Sequence, residues 1–445
     1  MVHLKKRGLK RFALLFLSCS VFFGSKAQTG DLPVSPNLNE LISFALKNKI
    51  SVKQSNLAEE IGEREIRSSL SGWLPQINAN GSFNHNLKIP TSTIGDQNIQ
   101  MGQKNNFSAL FQLDQTILDP SMLQASRASK YLRTGFEQDI ESEKINTVVD
   151  ISKAYFDILT TEKQLDIIEE NITRLKKQFG DAKARYETGM VDKTDYKRAR
   201  ISLNNAEADL KKTAEIRKAK YDFLKQLLNI PQSRTLELSA DIETLELQVP
   251  VDTSMYLNPE NRIEYRQIAN IKELQKVNTQ YHKWNFLPRV GAFANYQASF
   301  RDNNFGNMFS QNFPSSVLGL SINIPIFQGG KRIHELRRSE LMEKQIDYDL
   351  EQIENAIHSE YSTSMANYKA NLIEWTNAKE NVELSEEVYE TIKLQYDAGI
   401  KTYLDLMTAE TDLRTSSLNY LNALYSVLAS KIDVQKSLGA INIDR

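Results

Sequence analysis

A tandem duplication constrains this chain more than any other feature of its sequence. The stretch Arg185-Tyr-Glu-Thr-Gly-Met-Val-Asp-Lys-Thr-Asp195 returns 210 positions later as Gln395-Tyr-Asp-Ala-Gly-Ile-Lys-Thr-Tyr-Leu-Asp405. Tyr186 aligns with Tyr396, Gly189 with Gly399 and Asp195 with Asp405. Long proline-free runs flank both copies. Before the first, Leu165, Ile168, Ile172, Leu175, Phe179, Ala182 and Tyr186 fall at alternating steps of three and four, a coiled-coil spacing. A glycine between two such helices, with no proline nearby, marks the tip of a helical hairpin. The spacing therefore predicts two coiled-coil hairpins with similar tips.

Matched elements precede each hairpin. Leu38 to Gly72 reads as one helix, closed by Trp73-Leu-Pro75. The period then drops to two. Ile77, Ala79, Phe83, Leu87 and Ile89 alternate with polar residues, as do Phe107, Ala109, Phe111 and Leu113, and the polar stretch from Pro90 to Lys104 reads as a loop between two strands. Asp119-Pro120 supplies an N-cap and a first-turn proline for the next helix. That helix, running to Thr188, would be about 100 Å long at 1.5 Å per residue, far more than a globular core needs. Its partner ends at Asn229-Ile-Pro231. The second half repeats the order: a helix from about Pro259 to Phe286-Leu-Pro288, a strand from Val290 to Phe300, a polar loop from Asp302 to Ser316, a strand from Leu318 to Ile326, and the turn Gln328-Gly-Gly330 opening the last hairpin. The expected boundaries are 28–231 for the first repeat (β-hairpin 76–118, helical hairpin 121–230), 232–257 for a connector, 258–438 for the second repeat (β-hairpin 289–327, helical hairpin 331–438) and 439–445 for a tail. A period of about 210 residues is too long for a solenoid unit.

Residues 1–27 read as a secretory signal: a basic start (Lys5, Lys6, Arg7, Lys10, Arg11), an apolar core from Phe12 to Phe23, and a small-residue site at Ser25-Lys26-Ala27. Cys19, the only cysteine, lies inside it. Lipidation there is the alternative reading, weakened by Phe16 at the position where a leucine is expected. Cleavage after Ala27 leaves no thiol or disulfide chemistry. It also removes six of the 55 basic residues and none of the 56 acidic ones, leaving 49 against 56, a net charge of −7. That argues against nucleic acid as partner. The five histidines (His3, His85, His282, His334, His358) have no metal-ligand spacing. Gly329-Gly-Lys331 lacks the upstream glycine of a phosphate loop and reads as a strand-to-helix turn. No Gly-x-Ser-x-Gly elbow occurs. The sequence thus points to no enzyme, cofactor or metal site.

Two strand hairpins cannot form a stable sheet alone. Pooling strands from several copies into a closed barrel would remove the edges and let the apolar face meet lipid. A soluble sandwich, or a sheet covered by the helices, satisfies the same alternation. Export and the very long helices favour the membrane.

The duplicated architecture, with tips Tyr186-x-x-Gly189-x5-Asp195 and Tyr396-x-x-Gly399-x5-Asp405, resembles the TolC-like outer-membrane efflux proteins over about residues 38–438. The resemblance implies an α+β membrane fold: a homotrimer whose chains each give four strands to a 12-stranded barrel in the outer membrane of a Gram-negative bacterium, with long helices forming an α-barrel in the periplasm. Residues 28–40, 232–257 and the tail would belt its equator. It further implies a passive exit duct for efflux or type I secretion, docked to a periplasmic adaptor and an inner-membrane transporter. Asp195, Tyr396 and Lys401 match residues that hold the periplasmic gate closed, and Asp405 matches an acidic ring at the constriction. A member of the family carries arginine where this chain has Lys401; lysine keeps the charge but loses the bidentate fork. Thr408 stands where a second acidic ring would lie, leaving three carboxylates rather than six. Gly189, Met190, Val191, Gly399, Ile400 and Lys401 resemble the adaptor-docking tips. Asp195 and Asp405 also fit plain first-turn helix positions, favoured by the helix dipole. Two other functions compete: a periplasmic adaptor of the membrane-fusion type, which typically has one hairpin and not two, and a coiled-coil spacer, which needs no amphipathic strands.

Overall fold

A computed structural model describes residues 32–190, 192–238, 242–251 and 256–443. The proposed signal segment with Cys19, and Val191 of the first tip, lie outside the described residues. In chain order the elements are α1 (Leu38–Asn48), α2 (Ile50–Leu70), β1 (Gln76–His85), β2 (Thr91–Ile94), β3 (Gln97–Gln100), β4 (Asn105–Leu118), α3 (Pro120–Glu187), α4 (Lys193–Leu228), α5 (Ile242–Glu246), α6 (Ile263–Trp284), β5 (Arg289–Asp302), β6 (Ser315–Asn323), α7 (Lys331–Asp397) and α8 (Tyr403–Ser437).

The duplication is visible in this order. Asp119 caps α3, its carboxylate accepting the Ser121 backbone N–H at 2.7 Å, with Pro120 in the first turn. The turn before α7 has Gly329 at φ 60° and Gly330 at φ 84°, a left-handed pair that only glycine enters freely.

Three expectations need correction. The helix read over Leu38–Gly72 is two helices: Lys49 has ψ 133°, and its ammonium reaches Thr147 (3.2 Å) and Asp150 (3.2 Å) on α3, so a tertiary contact stabilises the break. The segment Pro90–Lys104 is not only a loop. It carries the β2–β3 hairpin, turned by Gly95 at φ 62°. The first and fourth strands stop earlier than the alternation suggests, at His85 and Asn323. Asn323 pairs with Arg289, the first residue of β5, so no partner strand remains for Ile324–Ile326.

β1, β4, β5 and β6 form one antiparallel sheet in the order β1-β4-β5-β6. Its register aligns like with like. Ile77, Leu113, Ala294 and Leu318 share one row; Ala79, Phe111 and Tyr296 another; Phe83, Phe107 and Phe300 a third. The opposite face carries Asn78, Gln112 and Asn295, then Ser82, Ser108 and Ser299. Many apolar-face residues lie open, Leu318 at 83% and Ile77 at 74% exposure.

The main core sits far from the sheet, where the helices cross. Leu41 and Ile42 of α1, Ile151 and Ile158 of α3, Leu224 and Leu228 of α4, Tyr368 of α7 and Leu424 and Val427 of α8 are fully buried together. The connector joins this core through Leu236, Leu238, Leu245 and Val249, with the Tyr368 hydroxyl donating to the Val249 carbonyl at 3.0 Å. Among the described residues no helix is long and apolar enough to cross a membrane.

Candidate functional site: the paired helical tips

Both tips use one backbone device. At the first, Gly189 adopts φ 75°, its N–H bonds to Tyr186 O (3.0 Å), and Met190 N–H reaches back to Arg185 O (2.8 Å). At the second, Gly399 adopts φ 76°, with Gly399 N–H to Tyr396 O (2.9 Å) and Ile400 N–H to Gln395 O (2.8 Å). This is the glycine-terminated helix end that satisfies orphan carbonyls. A Cβ at either glycine would meet nothing within 4 Å. The glycines serve backbone conformation there, not close packing. The turns present apolar side chains to solvent: Met190 is 76% and Ile400 74% exposed. Lys401 is exposed beside them.

Past the turns the two copies differ. At the second tip Thr402 and Asp405 form a reciprocal capping box: Thr402 N–H and hydroxyl donate to the Asp405 carboxylate (2.9 and 2.7 Å), and Asp405 N–H donates to the Thr402 hydroxyl (3.2 Å). These two donations, with Lys401 nearby, hold the Asp405 carboxyl below its ordinary range. At the first tip Asp192 caps α4 by accepting Thr194 N–H at 3.3 Å. Asp195 stands in the same turn; its charge is a lesser influence on the Tyr396 phenol, behind burial, Arg185 and Asp181, and the least of those on Tyr403. Burial is the larger cause that pushes both phenols up. Tyr403 is 4% exposed, and its hydroxyl is buried without a hydrogen-bond partner. Tyr396 lies edge-on to it at 6.2 Å, under the Arg185 guanidinium at 5.0 Å. Of the four expected gate residues, Tyr396 packs between the hairpins against Ala182, Ala199 and Tyr403, Asp195 stands in the first turn of α4, and Lys401 and Asp405 stand at the start of α8.

One group at the tips goes beyond the sequence reading. Glu410 of α8 is 3% exposed and, among the described residues, is the one buried carboxylate. Its oxygens accept from three side chains of α3: Asn171 Nδ2 (3.1 Å), Arg174 Nε (3.3 Å) and Gln178 Nε2 (2.6 Å). Burial pushes its carboxyl up, and Gln178 and Arg174 oppose the shift. Arg174 also lies over the Tyr389 ring of α7 at 5.9 Å. The signal that could have found Glu410 is its phase. It falls four residues after Leu406 and three before Leu413, on the seam of the coiled coil, where an acid is out of place.

A family model for outer membrane efflux proteins matches residues 41–229 and 276–440, most of the chain. TolC of Escherichia coli is 20% identical over 422 residues, covering 92% of this chain and 84% of TolC. TolC of Vibrio cholerae is 21% identical, covering 98% and 96%. Among solved structures, CusC superposes with a TM-score of 0.74 at 18% identity over 92% of this chain and 93% of CusC. The CmeC outer membrane channel of Campylobacter jejuni gives 0.73 at 16% identity over 92% and 87%. The fold is that of a TolC-like channel, one that sits in the outer membrane and reaches into the periplasm: the chain belongs to the outer membrane efflux protein family.

Proposed function

We propose that three copies of this chain assemble into a passive exit duct, whose tips dock a periplasmic adaptor and, through it, an inner-membrane transporter. The observation that carries this reading is the sheet. β1 and β6 each pair on one side only, and four strands are too few to close. Three copies supply twelve strands and remove every edge. The apolar rows then face lipid, and the Asn, Gln and Ser rows line the lumen. Phe305, edge-on to Phe83 at 5.8 Å, and Phe309, edge-on to Phe107 at 5.5 Å and tilted against Phe300 at 5.3 Å, would form one aromatic girdle. Trp73, Phe286 and Phe327 stand at the other end of the strands. Two such girdles bound the apolar band of outer-membrane barrels.

The gate is assigned to Asp195, Tyr396, Lys401 and Asp405, and adaptor docking to Gly189, Met190, Val191, Gly399, Ile400 and Lys401. Exposed apolar groups on a glycine-bounded turn suit helix-end to helix-end contact, and a ring of like charge in a narrow pore sets ionic selectivity. The test is planar-bilayer conductance of the purified protein beside Lys401→Ala combined with Asp195→Ala. Small steps in wild type and larger ones in the variant support a closed tip held by these residues. Equal steps keep the duct and reject the gate assignment. Folded protein without steps rejects the duct in favour of an adaptor or spacer.

A further inference from the structure

We infer that Glu410 is a positioning residue for the closed tip: it latches the second helical hairpin onto the first within each protomer, separately from the four gate residues. The inference rests on the duct reading above.

Each hairpin is closed internally by apolar packing. Ile168, Ile172 and Leu175 of α3 meet Ala206 of α4, and Tyr389 of α7 meets Leu406 and Ala409 of α8. Between the hairpins, an apolar cluster of Phe179, Ala182, Ala199, Tyr396, Tyr403 and Met407 lies on the tip side of Glu410, while Glu410 itself makes polar contacts. Glu410 takes its three donors from positions 171, 174 and 178, one face of α3 over two turns. Arg414, one turn on, pairs with Asp209 of α4 at 3.2 Å. Glu410 lies 11 residues past Gly399, about 16 Å up the helix at 1.5 Å per residue, so a small pivot there is enlarged at the tip.

Two properties suit a latch better than a static joint. All three donors converge on one side chain, so moving a single carboxylate breaks the whole set. Glu410 itself lines a cavity of about 240 Å³, whose other polar lining comes from Asn171, Ser202, Asn205, Thr411 and Arg414 and whose apolar lining includes Leu175. The polar part of that lining, Ser202, Asn205 and Thr411, gives a departing carboxylate room and new partners, which a wholly apolar seam would deny it. An ionised group buried without partners is strongly unfavourable, so the carboxylate is either seated on α3 or turned into that cavity.

The experiment is single-channel conductance of the full-length protein, with thermal melting of the same preparations. Glu410→Ala is compared with Glu410→Gln, which preserves shape and one acceptor, and with the Lys401→Ala, Asp195→Ala double variant. The expected result is a several-fold larger step for Glu410→Ala, an intermediate step for Glu410→Gln, and retained trimer melting for Glu410→Gln. Wild-type-sized steps from folded Glu410→Ala overturn the latch, even where the double variant opens the pore. If Glu410→Ala fails to assemble, Glu410→Gln decides: wild-type steps overturn the latch and enlarged steps support it. Absence of steps in folded wild type removes the duct reading and the latch with it.

Discussion

Exchanging Leu318 or its neighbour Val317 for arginine isolates the question of which face of the sheet meets lipid. Both are apolar, adjacent on β6, and exposed in the protomer, at 83% and 55%. They differ in the face they occupy. Leu318 shares the row of Ile77, Leu113 and Ala294, whereas Val317 shares that of Asn78, Gln112 and Asn295. On β5 the apolar rows run from Val290 to Phe300. Ten steps of about 3.4 Å, tilted about 40°, give a band about 26 Å tall, close to the ~25 Å of outer-membrane barrels. Ala294, level with Leu318, stands about 10 Å above the lower edge, near the mid-plane. Arginine facing lipid there costs about 2–4 kcal/mol per copy, hence about 6–12 kcal/mol in a trimer. Arginine at 317 faces the lumen, where the cost should fall within about 0.5 kcal/mol, as at ordinary solvated sites. The assay is urea unfolding of protein folded into lipid vesicles, followed by the gel mobility of the trimer. Leu318→Arg should lower the midpoint sharply or abolish folding, and Val317→Arg should leave it in place while changing ion selectivity. Equal midpoints, or the reverse order, would refute the lipid-facing assignment.

Other consequences are local. Gly62 of α2 lies so close to α3 that a Cβ would sit 2.1 Å from the Phe136 ring, so Gly62→Ala should lower stability by about 1–3 kcal/mol in chemical denaturation, with recovery when Phe136→Leu is added. Tyr368→Phe removes the hydroxyl bonded to the buried Val249 carbonyl and should cost about 1–3 kcal/mol without altering conductance. Glu410 gives a pH dependence. Its carboxyl is raised above the ordinary 4.5, so the folded state holds more protons than the unfolded one just above that value. Its contribution is therefore fully present below pH 4.5 and is lost as pH rises through the folded value, set by burial against Arg174 of α3, with Tyr389 of α7 and the Arg414–Asp209 pair nearby. Melting temperatures of wild type minus Glu410→Gln should fall over that window; a flat difference would contradict it. Asp405 runs the other way. Its depressed carboxyl supports the α8 cap above the ordinary 3.8, and that support is lost as pH falls through the folded value, so hydrogen-exchange protection at the second tip, relative to the intrinsic rate at each pH, should fall in acid and Asp405→Asn should remove the change.

The features legible in the sequence are those whose cause is local. Alternation gave the strands, three-four spacing the helices, Asp119-Pro120 a helix start, and Gly189, Gly399 and Gly329-Gly330 their turns. Each follows from backbone sterics or one helix face. What escaped depends on distant partners. Nothing in Lys47-Asn-Lys49 breaks a helix; the break is held by groups on α3 about 100 residues away. The fourth strand ends at Asn323 because its partner begins at Arg289, a register fact invisible in either strand alone. The β2–β3 hairpin was readable in principle, since Gly95-Asp96 between two short runs is a two-residue turn signal, but polar composition hid it. Glu410 shows both sides. Its phase on α8 marks it as misplaced, yet its donors lie more than 230 residues upstream.

The duplicated aspartates show how equal sequence positions acquire unequal roles. Asp195 and Asp405 each stand three residues after an N-cap, Asp192 and Thr402. A threonine hydroxyl both accepts from a backbone N–H and donates to a carboxylate, so Thr402 draws Asp405 into the capping box at 2.7 Å. An ionised aspartate donates nothing and repels a second carboxylate, so Asp192 caps α4 alone and leaves Asp195 out of the box. The change from threonine to aspartate at one cap position thus separates the two tips: the second aspartate stabilises its own helix, and the first stands outside its cap.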